Sequence, residues 1–358
     1  MKRMTLLLLL FFICSNRAFS SESFVPYSSE FVVAKWPVQT LGLNVSNQIQ
    51  NLLNDASYPG NSANYSIAAS LLKQSSTQDL SVLDRLYYGA VIKQHYHRFK
   101  ESKELLLTLL KTQAKNPNAL LLLSNMYSVL GEHQLAEKMC IRLISIAPQT
   151  FVATCVLNVR AQEGDLKSSL EQLATFLKNN DLSAQSNEGL GIWSAETLAS
   201  LARANGELKR AQRILAPYID KKVPVSFWVL WSDIELELED PERVMNRLQS
   251  IVKSSQNQDD ALILRLALAE QRLVPLKSVW LEKVRARIDL RESRNDTEHA
   301  FDIALYYYFI ERKYHKAHSW ALINWDKAKL LDDKNLLKMT QDALQMLPAD
   351  KQFMGDDK

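Results

Sequence analysis

The chain is poor in the residues that break helices. Its 358 residues include 9 glycines, which occur singly, and 10 prolines. No run of alternating β-branched residues is long enough to predict a sheet. Leu, Ala, Ser, Gln and Lys are plentiful, and this composition favours helix. The scattered glycines also exclude a glycine-rich loop that would cradle a phosphate.

Catalytic and metal-binding motifs are equally scarce. There is no HExxH or CxxC pair and no recognisable serine or cysteine nucleophile signature. His315 and His318 have no acidic ligand at metal spacing, and His95 and His97 point in different directions on a helix. We therefore expect no catalytic residue, no metal site and no cofactor.

Long apolar stretches are confined to the N terminus. Lys2 and Arg3 precede the apolar run Leu6–Ile13, and a small-x-small sequence ends at Ser20. This order predicts a secretory signal peptide over residues 1–20, cleaved after Ser20. The apolar run is too short to span a bilayer as a stable helix.

Two other interpretations of this leader stay open. The segment could be kept as an uncleaved anchor, or it could carry lipid on Cys14, although bulky Ile13 precedes that cysteine where lipid-attachment sites have a small residue. No later segment approaches 18 consecutive apolar residues, so we expect no transmembrane segment after signal removal. The leader and the sparse cysteines favour a Gram-negative periplasm.

The charge balance changes once the leader is removed. The whole chain has 43 basic and 40 acidic residues and a net charge of +3. Three of those basic residues, Lys2, Arg3 and Arg17, lie in the predicted signal, which leaves 40 against 40. The mild basicity therefore belongs to the leader, and nucleic acid is not an expected partner.

Two cysteines remain after cleavage, Cys140 and Cys155. They fall in neighbouring predicted helices, so an oxidising compartment would allow a disulfide if their Cα atoms come within about 7 Å. The alternative is a pair of buried thiols that act as small hydrophobic side chains.

The most informative segment runs from Pro117 to Pro148. It predicts two helices folded against each other, 118–130 and about 133–146, with a turn at Gly131 and a stop at Pro148. The segment resembles a tetratricopeptide repeat. The matching residues are Leu120, Leu123, Ser124, Tyr127, Gly131, Ala136 and Pro148.

The spacing of a compact residue early in each second helix extends this resemblance from Asn44 to Trp325. The residues are Ala68, Ser102, Ala136, Ser169, Ala211, Val244, Val279 and Ala317. Their intervals are 34, 34, 33, 42, 33, 35 and 38 residues, against about 34 for the family. An irregular all-α domain with coincidental spacing is the alternative.

The resemblance implies an all-α fold, a right-handed superhelical solenoid of about eight helix-turn-helix repeats. Residues 44–183 and 184–347 would form the N-terminal and C-terminal repeats, divided by the long 42-residue interval. An aromatic-rich arm, 21–43, precedes them, and a capping helix at about 334–346 ends the second set. A polar tail, 348–358, is expected to be disordered.

The resemblance also implies a groove lined by the first helix of each repeat, where a partner peptide or helix binds. Leu121 stands where members that grip a carboxylate have lysine, so recognition of a free C terminus is not expected. The groove residues would be Asn125, Asn158, Trp193, Glu196, Arg203, Asp233 and Tyr306.

These features favour a non-enzymatic scaffold or adaptor that binds a protein or peptide of an envelope complex. A helical-ring enzyme acting on the cell wall, of the peptidoglycan lyase type, is the first alternative, although no separate catalytic module fits between Trp193 and Met346. A periplasmic chaperone or sensor that binds ligands in the groove is the second.

Overall fold

The computed structural model describes residues 44–180, 188–255, 257–273 and 278–347. Within these ranges the chain is all-helical, with seventeen α-helices. The predicted signal, arm and tail lie outside the described residues. The helices are α1 Val45–Ala56, α2 Ala63–Gln74, α3 Val82–His95, α4 Phe99–Thr112, α5 Pro117–Val129, α6 His133–Ile141, α7 Gln149–Glu163, α8 Leu166–Asn179, α9 Glu188–Ala204, α10 Leu208–Leu215, α11 Val225–Glu237, α12 Pro241–Ser254, α13 Asp260–Leu273, α14 Val279–Ser293, α15 Ala300–Leu305, α16 Tyr314–Lys327 and α17 Leu331–Gln345.

Consecutive helices pack in pairs. Each odd-numbered helix from α1 to α15 contacts the even-numbered helix that follows, which gives eight pairs in the part of the chain that the structure describes. Helix α17 packs on α16 and α15 and closes the C-terminal end. Each pair buries its core against its neighbours, as expected of a solenoid.

Compact residues sit where the helices of a pair cross. Seven of the eight predicted positions have no exposed surface: Ala68, Ser102, Ala136, Ser169, Ala211, Val244 and Ala317. Serine at such a crossing also bonds the facing helix, since Ser102 Oγ donates to the carbonyl oxygen of Ala90 at 2.8 Å. Ser124 Oγ makes the equivalent bond to the carbonyl oxygen of Ala136 at 3.0 Å.

The prediction for the eighth position, Val279, is wrong. Its side chain is 49% exposed, whereas Trp280 and Val284 are buried. The buried Glu270 carboxylate of α13 accepts the backbone N–H groups of Val279, Trp280 and Leu281. The helix therefore starts at Val279, one turn later than the repeat interval predicts, and its first residue lies outside the crossing.

Two predicted helix bounds also differ from the structure. Helix α6 ends at Ile141 rather than near Ile146, because the following residues form tight turns and Ser145 has a φ of 74°, which an α-helix cannot contain. Helix α17 begins at Leu331, three residues before the predicted capping helix. The Asp333 carboxylate starts it by accepting the N–H of Leu330 at 2.8 Å.

Left-handed residues make the turns inside the pairs. In the seven pairs whose turn is fully described, each turn holds one residue with positive φ: Gly60, His97, Gly131, Gly164, Gly206, Glu239 and Arg312. At Gly131, φ is 77°, and the N–H of Glu132 closes the helix end on the carbonyl oxygen of Tyr127 at 2.8 Å.

The solenoid curves until its early pairs contact its late pairs along two lines. In the first seam, Gly60 N–H donates to Asp259 Oδ2 at 2.8 Å, and Val225 N–H donates to the carbonyl oxygen of Ser57 at 2.8 Å. In the second seam, Lys329 N–H donates to the carbonyl oxygen of Val129 at 2.7 Å. The first helices of neighbouring pairs contact one another, so they line the inner surface of the curve, which we call the concave face.

Candidate functional site

A cavity of about 320 Å³ opens on the concave face of the C-terminal half. Four first helices line it, together with the π-helical turn that follows α15 and the helix α17. Its apolar wall consists of Leu236, Leu268, Phe301, Leu305, Phe309, Leu336 and Met339, and its polar rim includes Arg203, Asp233, Glu237, Arg272, Asp332 and Asn335. An apolar pocket with a few polar groups is the usual form of a ligand site.

Opposite charges alternate along the first helices beside this cavity. Arg265, from α13, lies 3.0 Å from Asp233 of α11 and 3.0 Å from Asp302 of α15. Burial disfavours the Arg265 cation, but these two carboxylates raise its pKa above its ordinary value. The pairing keeps a buried guanidinium charged and holds three first helices together.

Arg203, from α9, extends this series of ion pairs beyond Asp233, towards the solvent-exposed side. Its guanidinium lies 2.6 Å from Glu237, 3.6 Å from Asp332 and 3.9 Å from Asp233. Because Asp332 belongs to α17, Arg203 connects the capping helix to the first helices. The rim of the cavity is therefore fixed by ion pairs before any ligand binds.

Glu196 lies two turns before Arg203 on α9. Its carboxylate accepts a hydrogen bond from Ser226 Oγ at 2.7 Å. Burial raises the pKa of Glu196 to about 7, and the Ser226 bond only partly opposes this. One turn earlier, the Trp193 ring packs against Phe151 of α7 with ring centroids 5.1 Å apart. The concave face thus has an acidic and aromatic patch beside the cavity.

Comparison with family models finds no match for the chain, and comparison with curated proteins finds none either. Solved structures do match. NprR in complex with its cognate peptide NprX is 13% identical, over 78% of this chain and 84% of that chain, with a TM-score of 0.50. The chain has a tetratricopeptide-repeat fold.

Two further structures are similar over comparable lengths. The apo form of the quorum sensor NprR from B. thuringiensis is 12% identical, over 84% of this chain and 85% of that chain, with a TM-score of 0.44. A tetratricopeptide repeat protein from Parabacteroides merdae is 14% identical, over 83% and 99% of the two chains, with a TM-score of 0.37. Identities this low describe the fold alone.

The tetratricopeptide-type solenoid brings some of the predicted groove residues together and separates others. Arg203 and Asp233 line the cavity, and Trp193 and Glu196 lie on the same helix face as Arg203. Asn125 is exposed on α5 and Asn158 is half-buried on α7. Both asparagines lie on first helices, but neither lines the cavity.

Tyr306 was wrongly predicted to face the groove. It is 2% exposed and its hydroxyl donates to Glu311 at 2.7 Å. Tyr306 begins the π-helical turn Tyr306–Glu311 and lies against Arg285 of α14, whereas Phe309, later in the same turn, faces the cavity. Tyr307 is buried as well, and its hydroxyl donates to Glu292 at 2.8 Å.

Cys140 and Cys155 form a disulfide with their Cα atoms 5.6 Å apart. The bond joins α6 of the third pair to α7 of the fourth, and both residues are buried. The Ser124 hydroxyl lies 3.1 Å from the Cys140 sulfur. Of the two arrangements considered from sequence, the structure contains the bridged one.

Sequence reasoning missed Arg265 and the whole contribution of α17. Arg203, Asp233, Arg265 and Asp302 alternate in charge at intervals close to one repeat, and that signal could have identified Arg265. The position of α17 depends on how the last helix packs, which no repeat pattern encodes.

Across the described residues, no group of three or more His, Cys, Asp or Glu side chains is arranged to hold a metal ion, and no helix has the length and apolarity to cross a membrane.

Proposed function

We propose that the chain is a non-enzymatic interaction protein that binds a segment of a partner protein or a peptide on its concave face. The observation that carries the proposal is the cavity between α9, α11, α13, α15 and α17, with its apolar wall and ion-paired rim. The likeness to NprR, whose structure contains a cognate peptide, supports a peptide or protein segment as the ligand.

Site-specific photo-crosslinking tests this proposal. A benzophenone amino acid replaces Asn335, which is exposed at the cavity, or Asn125, which is exposed on the first helix α5, or Lys209, which is exposed on the second helix α10. We expect the first two positions to crosslink one partner in cells that produce the protein, and Lys209 to crosslink none. Equal crosslinking from Lys209 would refute a concave binding face.

We further propose that residues 1–20 direct export, with cleavage after Ser20, and that the protein works in the bacterial periplasm as part of an envelope complex. The disulfide between Cys140 and Cys155 supports an oxidising compartment, because disulfides are rare in a reducing cytosol. N-terminal sequencing of the fractionated protein should start at Ser21. A cytoplasmic protein that keeps Met1 would contradict export.

A sensor or chaperone for small ligands is a second candidate. The cavity volume of about 320 Å³ falls at the lower end of the range of small-molecule sites. A small ligand would raise the melting temperature of the purified protein, and the rise would continue as the ligand concentration exceeds its Kd. Thermal shifts from small molecules, without crosslinks from Asn125, would favour this candidate over peptide binding.

A further inference from the structure

Helix α9 has a single narrow face that remains partly exposed to solvent. Between Leu190 and Arg203, the residues that keep some exposure are Trp193, Glu196, Ser200 and Arg203, and the others are buried. These positions are three or four apart, so they form one stripe along the helix. Ligand contacts on α9 must therefore come from this stripe.

Glu196 is the acidic residue of the stripe, and no Lys or Arg side chain in the described part of the chain pairs with it. Among the described residues its one polar partner is the Ser226 hydroxyl, at 2.7 Å. The carboxylates of the nearby cavity are different, because Arg203 pairs with Glu237 and Arg265 pairs with Asp233. A half-buried carboxylate without a counter-charge is costly, and a bound cation would remove that cost.

Aromatic rings stand next to this carboxylate. Trp193 is one turn from Glu196, and it packs against Phe151 with ring centroids 5.1 Å apart. Both rings keep some exposure. The face of an aromatic ring attracts ammonium and guanidinium groups, so the carboxylate and the rings select the same kind of ligand group, a cationic side chain.

The distance to the cavity sets the spacing of the ligand. Glu196 and Arg203 are seven residues apart on α9, which corresponds to about 10 Å along the helix axis. An extended peptide in the polyproline II conformation covers about 3.1 Å per residue and completes one turn every three residues, so side chains three residues apart lie on the same face. Two side chains about three residues apart can therefore reach the acidic patch and the apolar cavity together.

We infer that the concave face binds an extended peptide segment that places a lysine or arginine side chain against Glu196 and Trp193 and an apolar side chain, about three residues away, in the cavity beside Arg203. This inference rests on the proposed binding of a segment on the concave face. It adds the chemistry and spacing of the ligand, which the fold alone does not specify.

A peptide array tests the inference on the full chain. The probes are N-acetylated, C-amidated twelve-residue peptides of Gly and Ser that carry one Lys and one Leu at separations of one to six residues. A second set replaces Lys by Gln, and a third set lacks Lys but has a free N terminus. The proteins compared are the unaltered chain, Glu196→Gln and the control Glu163→Gln, which removes an exposed carboxylate from α7.

We expect the unaltered chain and Glu163→Gln to bind peptides with a Lys–Leu separation of about three residues roughly tenfold more tightly than their Gln counterparts. Glu196→Gln should lose this preference and still bind the Leu-containing peptides weakly. Peptide binding with no preference for Lys, a preference that survives in Glu196→Gln, or a preference for the free N terminus would overturn the inference and leave the proposed function standing. No peptide binding by the unaltered chain would overturn both.

Discussion

At the residue scale, Glu196 combines burial with a concave position. Its ordinary pKa is 4.5, and burial raises the pKa to about 7 in the folded chain. Folding therefore favours the protonated carboxyl. The resulting stabilisation is fully present below pH 4.5 and is lost as the pH rises through about 7.

We predict that the unaltered chain loses stability relative to Glu196→Gln as the pH rises. The difference in unfolding free energy should change by about 2 kcal/mol between about pH 5 and about pH 8, since one pKa unit corresponds to about 1.4 kcal/mol and partial exposure reduces the effect. Melting temperatures of both proteins across this range measure it. Parallel pH profiles for the two proteins would show that Glu196 titrates normally, and Glu163→Gln should track the unaltered chain.

The residue scale also shows how far sequence reasoning reaches. Arg203 and Asp233 were predicted as groove residues from repeat position, and both line the cavity, but their contact with a partner stays a prediction. The prediction for Tyr306 was wrong because its side chain is buried against α14, and the π-helical turn that begins there brings Phe309 to the cavity instead. A local change in helix type rotates the side chains that follow, and three consecutive tyrosines give no sign of where it starts.

At the element scale, the turns inside the pairs differ in what surrounds them. Gly131 and Gly206 have similar positive φ values of 77° and 80°. A Cβ atom at Gly131 would lie 3.2 Å from the Lys329 side chain across the second seam, whereas a Cβ atom at Gly206 would have no described neighbour within 4 Å. Comparing the same substitution at the two glycines therefore distinguishes the effect of backbone strain from that of contact across the seam.

We predict that Gly131→Ala and Gly206→Ala both destabilise the chain by about 1 kcal/mol, because a residue with a Cβ atom is strained in the left-handed region. Gly131→Ala should in addition weaken the bond from Lys329 N–H to Val129. Hydrogen exchange at Lys329 measures this, and faster exchange is expected in Gly131→Ala alone. Equal exchange at Lys329 in both variants would mean that the Lys329 side chain moves aside without weakening the hydrogen bond to Val129.

The disulfide links two elements of different pairs. It closes a segment with a sequence separation of 15 residues, and cross-linking a loop of that length stabilises a protein by about 3 kcal/mol in the chain-entropy model. We predict that a reductant lowers the melting temperature of the unaltered chain but leaves that of the double variant Cys140→Ser/Cys155→Ser unchanged. An equal response of both proteins would place the effect of the reductant elsewhere.

Repeat spacing predicted the elements better than their ends. Ser102 and Ala136 are fully buried because a helix pair can approach closely only where its side chains are small. Val279 broke the rule because the Glu270 carboxylate, from another helix, fixes the start of α14. Helix boundaries set by long-range partners cannot be obtained from local pattern.

At the scale of the whole molecule, the second seam continues from Lys329 to the start of α4, where Lys100 and Lys103 face Asp326 and Lys327, and it brings ionisable groups of distant pairs together. The rings of His97 and His299 lie 5.4 Å apart. Burial lowers the pKa of His97, and His299 and Lys327 lower it further, while Glu298 and Asp302 oppose them. Burial, His97 and His299 also lower the pKa of neighbouring His95 to about 4.

We predict that acid opens the second seam. A histidine whose pKa is lowered in the folded state stabilises the fold above its ordinary pKa of 6.5, and this contribution is lost as the pH falls towards about 4. The N–H of Lys329 should then exchange faster, after correction for intrinsic rates, and the radius of gyration from X-ray scattering should increase. His97→Asn removes one of the titrating rings and should therefore reduce both changes. Asparagine suits this position because it tolerates the left-handed φ of 54°.

The first seam supplies an internal control. Its Gly60 N–H bonds the carboxylate of Asp259, whose pKa is raised by burial. A carboxyl whose pKa is raised in the folded state does not lose stabilisation as the pH falls. The Gly60 N–H should therefore stay protected from hydrogen exchange while the Lys329 N–H exchanges faster. Simultaneous loss of protection at both amides would indicate global unfolding. Opening confined to the second seam would mean that the early and late pairs can separate there while the rest of the solenoid stays folded, which would widen access to the concave face.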